Sequence, residues 1–161
     1  PAQTLALTVW AEARSRLDRG RWISNPLDAM VDVMNVIDNR VRDARWSKLG
    51  HKRVCLQRWQ FSCWEPFGGP DDKNDADLYA ENFEDVIARA QEMIARFTLS
   101  EKLANCLAAA EGCLAGRLVD ALSGACHYYA DWMRVPPKWS FHKDAKLVAH
   151  RHGHLFFANV P

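Results

Sequence analysis

The chain has 161 residues, with 21 basic and 20 acidic side chains and a formal net charge of +1. This length suits one domain spanning 1–161, because at this size about two thirds of the extended-chain surface can be buried. The near balance of charge gives no support for a nucleic-acid partner or a polybasic membrane anchor. No apolar run approaches the roughly twenty residues that cross a bilayer, so we predict no integral membrane association.

The first predicted helix runs from Thr4 to about Asp18. Apolar residues recur every four positions, at Leu5, Val9, Ala13 and Leu17. Glu12 lies three residues after Val9 and seven after Leu5, so its carboxyl group shares a flank with apolar neighbours. Because burial raises a carboxyl pKa, such a position suits a general acid that works near neutral pH. Glu12 is therefore a candidate catalytic acid, and a solvent-exposed glutamate is the alternative.

The second predicted helix has Asn25 as its cap and Pro26 at its first position, and it runs to about Arg42. Helical periodicity fades between Asp43 and Asp75, which predicts irregular structure there. Two further helices are predicted, one over 83–97 and one that starts at the capping box Thr98-Leu99-Ser100-Glu101 and runs until Gly116.

The C-terminal part reads as short extended segments. Cys126 to Tyr129 is strand-like, and two extended runs, Lys146 to His150 and His154 to Asn159, flank Arg151-His152-Gly153. This order predicts a terminal β-hairpin. The chain should therefore fold as an α+β, mainly α-helical domain with a small β-hairpin.

The five cysteines form no CxxC pair and cannot all pair with one another, which argues against a disulfide framework. Cys106 and Cys113 lie seven apart on a helical pattern and are predicted to be small core residues. Cys55 with Cys63 stays open as a disulfide or a metal pair.

Other chemistries receive weaker support. His150, His152 and His154 alternate and could collect a zinc ion on one strand, but Gly153 indicates a turn that would scatter the rings. Neither Ser62 nor any cysteine has a recognised nucleophile motif around it. We therefore predict no metal and no cofactor, and a zinc-dependent amidase or peptidase remains the less favoured alternative.

Five short motifs occur in a fixed order along the chain. They are Trp10-Ala11-Glu12-Ala13-Arg14, Asn39-Arg40-Val41, Gln60-Phe61-Ser62-Cys63-Trp64, Gly124-Ala125-Cys126-His127-Tyr128-Tyr129 and Gly153-His154-Leu155-Phe156-Phe157. In this order the chain resembles the cell-wall hydrolase family typified by spore-cortex-lytic enzymes (SleB-type). The resemblance runs from about Thr4 to Asn159. Alanine at position 11 departs from the glycine usual in the family, and the segment from Phe67 to Asn82 aligns with no family pattern.

The resemblance implies a lysozyme-like domain, of the goose-type lysozyme and lytic transglycosylase kind. Its partner would be the peptidoglycan glycan strand, cleaved between N-acetylmuramic acid and N-acetylglucosamine. Glu12 matches the family's catalytic glutamate. Gln60 and Ser62 can hydrogen-bond N-acetyl or hydroxyl groups of a sugar.

Alternation along a strand means that only one of Tyr128 and Tyr129 faces the groove, where a tyrosine could orient the sugar or Glu12. The resemblance favours Tyr129. His154 is expected to brace the same wall.

Glycoside cleavage normally uses two carboxyl groups. Glu65, Asp131 and Asp38 are possible second groups, but none has the helical, apolar setting of Glu12. A single acid favours a lytic transglycosylase that leaves 1,6-anhydromuramoyl ends, and a muramidase that hydrolyses the same bond is the alternative. With unpaired cysteines and no visible export signal, we expect a monomeric phage or prophage endolysin, made in the host cytosol and acting on the bacterial cell wall.

Overall fold

The computed structural model describes residues 1–17, 26–46, 48–57, 60–61 and 101–161. Within these ranges lie four α-helices and three β-strands. The elements are α1 (Ala2–Leu17), α2 (Pro26–Arg42), α3 (Gly50–Leu56), α4 (Glu101–Leu114), β1 (His127–Ala130), β2 (Lys146–Arg151) and β3 (His154–Ala158). The described chain is thus α+β and mostly helical, as predicted. The predicted cap Asn25 and the predicted helix over 83–97 lie outside the described residues.

The helices α1, α2 and α4 pack around one apolar core. Each contributes one face at helical spacing, which is the pattern that predicted them. The buried residues include Leu5 and Val9 of α1, Met30, Val33, Met34 and Ile37 of α2, and Cys106, Ala110 and Cys113 of α4. The prediction that Cys106 and Cys113 are core residues is confirmed.

Helix α3 corrects the prediction of irregular structure after Asp43. It has seven residues, and only Val54 and Cys55 are buried within it. Two adjacent apolar residues give no helical period, and an isolated helix of this length is unstable in water. Packing against the core, which no local pattern reveals, therefore decides its conformation.

The three strands form an antiparallel sheet in the order β1-β3-β2. The predicted terminal hairpin is confirmed, since β2 and β3 are joined by His152 and Gly153. Both residues have positive φ, 51° and 72° respectively. A two-residue turn of this kind matches the natural twist of paired strands.

Two contacts fix this hairpin to α2. The Asp32 carboxylate, which is buried, accepts a hydrogen bond from the Arg151 guanidinium and lies 2.9 Å from His152 Nδ1. The turn is therefore held against the helical part by paired charges. Across the described ranges, no helix has the length and apolar character needed to cross a bilayer.

Candidate active site

Glu12 lies in the last part of α1 that has described side chains. Its neighbours on the helix, Thr8 and Val9, are fully buried, and Trp10 is nearly so. Glu12 itself is half-buried. The carboxyl group thus lies at the border between the core and solvent, in the apolar surroundings that the spacing predicted.

Tyr128 in β1 reaches this carboxyl group. Its hydroxyl donates a hydrogen bond of 3.0 Å to Glu12 Oε2. The Tyr128 ring is packed against the helical core, and its ring centroid lies 5.1 Å from that of His154 and 5.8 Å from that of Phe156. The hydroxyl therefore comes from a side chain that is held on several sides, and it can fix the orientation of the carboxyl group.

The alternation of β1 decides which tyrosine faces Glu12. Tyr128 pairs in register with Phe156, and both side chains lie on the helix side of the sheet. Tyr129 lies on the opposite side, where its ring stacks on Phe157 at 5.6 Å and meets Trp139 edge-on at 5.8 Å. The tyrosine that contacts Glu12 is thus Tyr128, and the favoured Tyr129 lies on the other face of the sheet. A contact between Tyr129 and sugar stays a prediction.

The sequence motifs around Tyr128 are joined by hydrogen bonds. Asn39 Nδ2 donates to the Ala125 carbonyl at 3.2 Å, and Arg40 Nε donates to the Cys126 carbonyl at 2.7 Å. Both donors are in the last turns of α2 and are buried. They position the chain just before β1, and they thereby set the place of Tyr128.

Arg40 is a buried cation in an aromatic setting. Its guanidinium carbon lies 5.7 Å from the Trp46 ring centroid and 5.3 Å from that of Phe61. Burial lowers the Arg40 pKa from its ordinary value. Such rings stabilise a cation that has left water.

The remaining predicted site residues are placed as follows. His154 is buried, 5% exposed, and its ring touches Tyr128 on the same side of the sheet. Gln60 is half-buried and precedes Phe61, which is packed in the core. Ser62 lies outside the described residues. The structure therefore brings Glu12, Tyr128 and His154 together.

The histidines near the hairpin do not converge. His150 Nε2 lies 3.2 Å from Asp131 Oδ2 and His152 Nδ1 lies 2.9 Å from Asp32 Oδ2, whereas His154 packs on Tyr128. The turn at Gly153 scatters them, as its presence predicted. This arrangement does not form the three-histidine zinc site that the spacing left open.

His127, the residue before Tyr128, faces the other side of the sheet. Its ring lies 5.9 Å from the Trp46 ring and 5.0 Å from the Trp139 ring, and its Nδ1 is buried without a hydrogen-bond partner. Burial, together with the nearby Arg40 and Arg45, lowers the His127 pKa to about 4. At neutral pH this ring is uncharged, which excludes it as a cationic group facing a substrate.

The register between β1 and β3 shows that Tyr128 is the tyrosine on the helix side of the sheet. This register could not be predicted from the sequence. The period-two pattern showed that one tyrosine had to face inward, but a shift of one residue exchanges the two faces. A usable signal was Phe156, an apolar residue two positions after His154 and therefore on the same face of the strand.

The fold and the site define a mostly helical α+β protein that holds a hydrogen-bonded glutamate between its first helix and a small sheet. The family profile described as Cell Wall Hydrolase matches residues 24–157. The chain belongs to this family, and membership indicates an enzyme that acts on the bacterial cell wall by degrading peptidoglycan. Searches of curated proteins and of solved structures found no match.

The matched range includes Tyr128 and the residues that anchor it, but it begins after Glu12. The observations that make Glu12 a candidate catalytic residue are therefore its position in α1 and the hydrogen bond from Tyr128.

Proposed function

We propose that the protein cleaves the β-1,4 bond between N-acetylmuramic acid and N-acetylglucosamine as a lytic transglycosylase, with Glu12 as general acid and base. A single catalytic domain of lysozyme-like fold is part of this proposal. The observation that carries it is the half-buried Glu12 carboxyl group, held by the Tyr128 hydroxyl at 3.0 Å.

In the first step, protonated Glu12 gives its proton to the bridging oxygen. The bond between this oxygen and the muramoyl C1 breaks, and N-acetylglucosamine leaves with a free 4-hydroxyl. The Glu12 carboxylate then takes the proton from the muramoyl 6-hydroxyl, whose oxygen bonds to C1 and closes the 1,6-anhydro ring. Glu12 is thereby protonated again, and no water is consumed.

Tyr128 suits both states of Glu12. The hydroxyl donates to Oε2 both when Glu12 is a carboxylate and when Glu12 carries its proton on Oε1, because either form keeps an acceptor lone pair on Oε2. The hydrogen bond thus holds the carboxyl group in one orientation throughout the proton transfers. Orientation of this kind is a large part of what general acids contribute.

The positions of two possible second carboxylates support a single acid. Asp38 lies 2.9 Å from His51 Nε2 and 2.5 Å from Arg42 Nη2, and Asp131 lies 3.2 Å from His150. Each is thus engaged in an ion pair or hydrogen bond of its own. The third, Glu65, lies outside the described residues. Hydrolysis by a muramidase remains the alternative, since a water molecule can replace the 6-hydroxyl as nucleophile.

We further propose that Gln60, Ser62, Tyr129 and His154 contact or shape the sugar site. The amide of Gln60 and the hydroxyls of Ser62 and Tyr129 match the donors and acceptors of N-acetyl sugars. His154 acts through the Tyr128 ring, against which it packs at 5.1 Å.

The test is digestion of purified sacculi by the unaltered chain and by Glu12→Gln. Glutamine keeps nearly the same shape but cannot donate and recover a proton, so we expect soluble fragments to disappear while the folded state persists. Glu111→Gln is the matched control, because Glu111 is an exposed glutamate on α4. Retained lysis by Glu12→Gln would remove Glu12 from the catalytic role.

Mass spectrometry of the products decides among the chemistries. Anhydromuramoyl ends support a transglycosylase, and reducing muramic acid ends support a muramidase. Release of peptides from intact glycan would instead support an amidase or peptidase and overturn the proposal.

The proposed setting is a phage or prophage endolysin that is made in the host cytosol and reaches the wall from there. The four described cysteines, Cys55, Cys106, Cys113 and Cys126, are buried free thiols. Free thiols suit a protein made in a reducing compartment.

A further inference from the structure

Three helices bring different metal-ligating side chains to one point. Asp38 belongs to α2, His51 to α3 and Cys113 to α4. One carboxylate oxygen, the His51 Nε2 and the Cys113 Sγ all lie within 4.8 Å of one another. The three residues come from separate parts of the sequence, so no spacing motif predicts that they lie together.

The two contacts of His51 use the same nitrogen. Asp38 Oδ1 lies 2.9 Å from Nε2, and Cys113 Sγ lies 3.8 Å from that same atom. In a catalytic cysteine triad the acid and the nucleophile contact opposite nitrogens of the ring, so that a proton can pass from one side to the other. Here both groups contact the same nitrogen, so the cluster lacks the relay geometry of such a triad, while its three donor atoms lie as close together as the ligands of one ion must.

The surroundings suit a cation as well. Asp38 is 6% exposed and Cys113 is 3% exposed, whereas the His51 side chain is 16% exposed to solvent. Arg42 Nη2 lies 2.5 Å from the other Asp38 oxygen, Oδ2, and would hold the carboxylate in place. Such support of a ligating carboxylate by an outer hydrogen bond is usual at metal sites. The Asp38 carboxylate and a Cys113 thiolate would carry two negative charges against the single positive charge of Arg42, which leaves one net negative charge to attract a cation.

The donor set and the distances indicate zinc. Sulfur, imidazole nitrogen and carboxylate oxygen are all zinc ligands, whereas calcium and magnesium take oxygen ligands. With bond lengths of about 2.0 Å to nitrogen and 2.3 Å to sulfur, tetrahedral zinc sets these two atoms about 3.5 Å apart. The observed separation of 3.8 Å between Nε2 and Sγ is within about 0.3 Å of this value, and Oδ1, now 2.9 Å from Nε2, would move outwards by about 0.4 Å when the ion binds.

We propose that Asp38 Oδ1, His51 Nε2 and Cys113 Sγ bind one zinc ion that joins α2, α3 and α4. A water molecule at the exposed edge of His51 completes the four ligands. Binding displaces the thiol proton of Cys113 to solvent and involves no oxidation or reduction. The site shares no residue with the pair of Glu12 and Tyr128, and the proposal does not depend on glycan cleavage.

The test is a Co²⁺ titration of the full chain after removal of metal with a chelator and exchange into chelator-free buffer. Cobalt replaces zinc in such sites and gives visible bands together with a thiolate-to-cobalt charge-transfer band. We expect both to saturate at one equivalent and to be abolished by one equivalent of Zn²⁺. Thermal unfolding should shift to higher temperature with Zn²⁺, because the ion binds the folded chain.

Cys113→Ser should lose the charge-transfer band, and Cys106→Ser is the matched control. Cys106 is a buried thiol on the same helix, and it contacts Met30 instead of the cluster. His51→Gln, at the partly exposed ligand, should weaken Co²⁺ binding at least tenfold and provides a second variant if Cys113→Ser does not fold. Absence of a charge-transfer band in the unaltered chain, or a band that survives in Cys113→Ser, would overturn the proposal.

Discussion

Replacing Tyr128 with phenylalanine removes one hydroxyl and leaves the ring in place. The ring keeps its packing on His154 and Phe156, at centroid distances of 5.1 and 5.8 Å. What is lost is the hydrogen bond of 3.0 Å to Glu12 Oε2. The variant therefore isolates the effect of that bond on the proposed acid.

The size of the effect follows from the charge on the acceptor. A hydrogen bond to a charged group contributes about 1.5–3 kcal/mol, and each 1.4 kcal/mol corresponds to about a tenfold change in rate. If the whole bond acts on the chemical step, kcat for release of glycan fragments falls about ten- to a hundredfold. The free energy of unfolding should fall by at most about 3 kcal/mol, the upper end of the same range, because the ring remains packed.

The assay is release of soluble fragments from purified sacculi under initial-rate conditions, with urea unfolding measured on the same samples. Tyr129→Phe is the matched control, since it removes the same hydroxyl from the next residue, which faces Phe157 and Trp139. We expect its kcat to stay close to that of the unaltered chain. The predicted sugar contact of Tyr129 would appear as a raised KM.

Two results would refute this reasoning. A Tyr128→Phe variant with an unchanged kcat would show that the hydrogen bond does not orient the reacting group. A larger loss of kcat in Tyr129→Phe than in Tyr128→Phe would transfer the role to the other face of the sheet.

Four further predictions concern stability. Arg40→Lys removes the Nε donor to the Cys126 carbonyl, so we expect urea unfolding to show a loss of about 1–3 kcal/mol, the usual cost of an unsatisfied buried group. Gly153→Ala should lower the unfolding free energy by about 1–2 kcal/mol, because the φ of 72° at this position is strained for alanine. Gly112→Ala should instead raise the unfolding free energy by about 0.5–1 kcal/mol, because alanine favours the helix α4 and its Cβ would meet no atom closer than 3.8 Å. Below pH 6.5 the unfolded chain takes up a proton at His127 that the folded chain, with a His127 pKa of about 4, does not bind. The free energy of unfolding should therefore fall from pH 6.5 towards pH 4, as measured by thermal unfolding. In His127→Gln this fall should be less steep.

The elements with a repeating pattern could be predicted from the sequence. Helix α2 begins at Pro26 and ends at Arg42 as predicted, because a proline start and an apolar stripe are both local signals. The β2–β3 hairpin was predictable for a similar reason, since Gly153 marks the turn. Helix α3 was not, because its conformation depends on contacts with distant residues.

The site was predictable in composition and less so in geometry. Glu12 has the buried flank that its spacing implied, and His154 lies on the same side of the sheet as the tyrosine that contacts Glu12. Which tyrosine that is depended on strand register, a non-local property. The cluster of Asp38, His51 and Cys113 could likewise not be predicted from the sequence, because its atoms come together only when three helices pack against one another.

The hydrogen bond between Glu12 and Tyr128 joins residues that are 116 positions apart. During synthesis the first helix emerges long before β1, so this contact cannot form until the 116 residues that follow Glu12 have been made. Closing so long a loop is entropically costly and comes late in folding. A chain that stops before β1 therefore contains Glu12 but not the tyrosine proposed to orient it, and the appearance of full activity would report that β1 has joined the sheet.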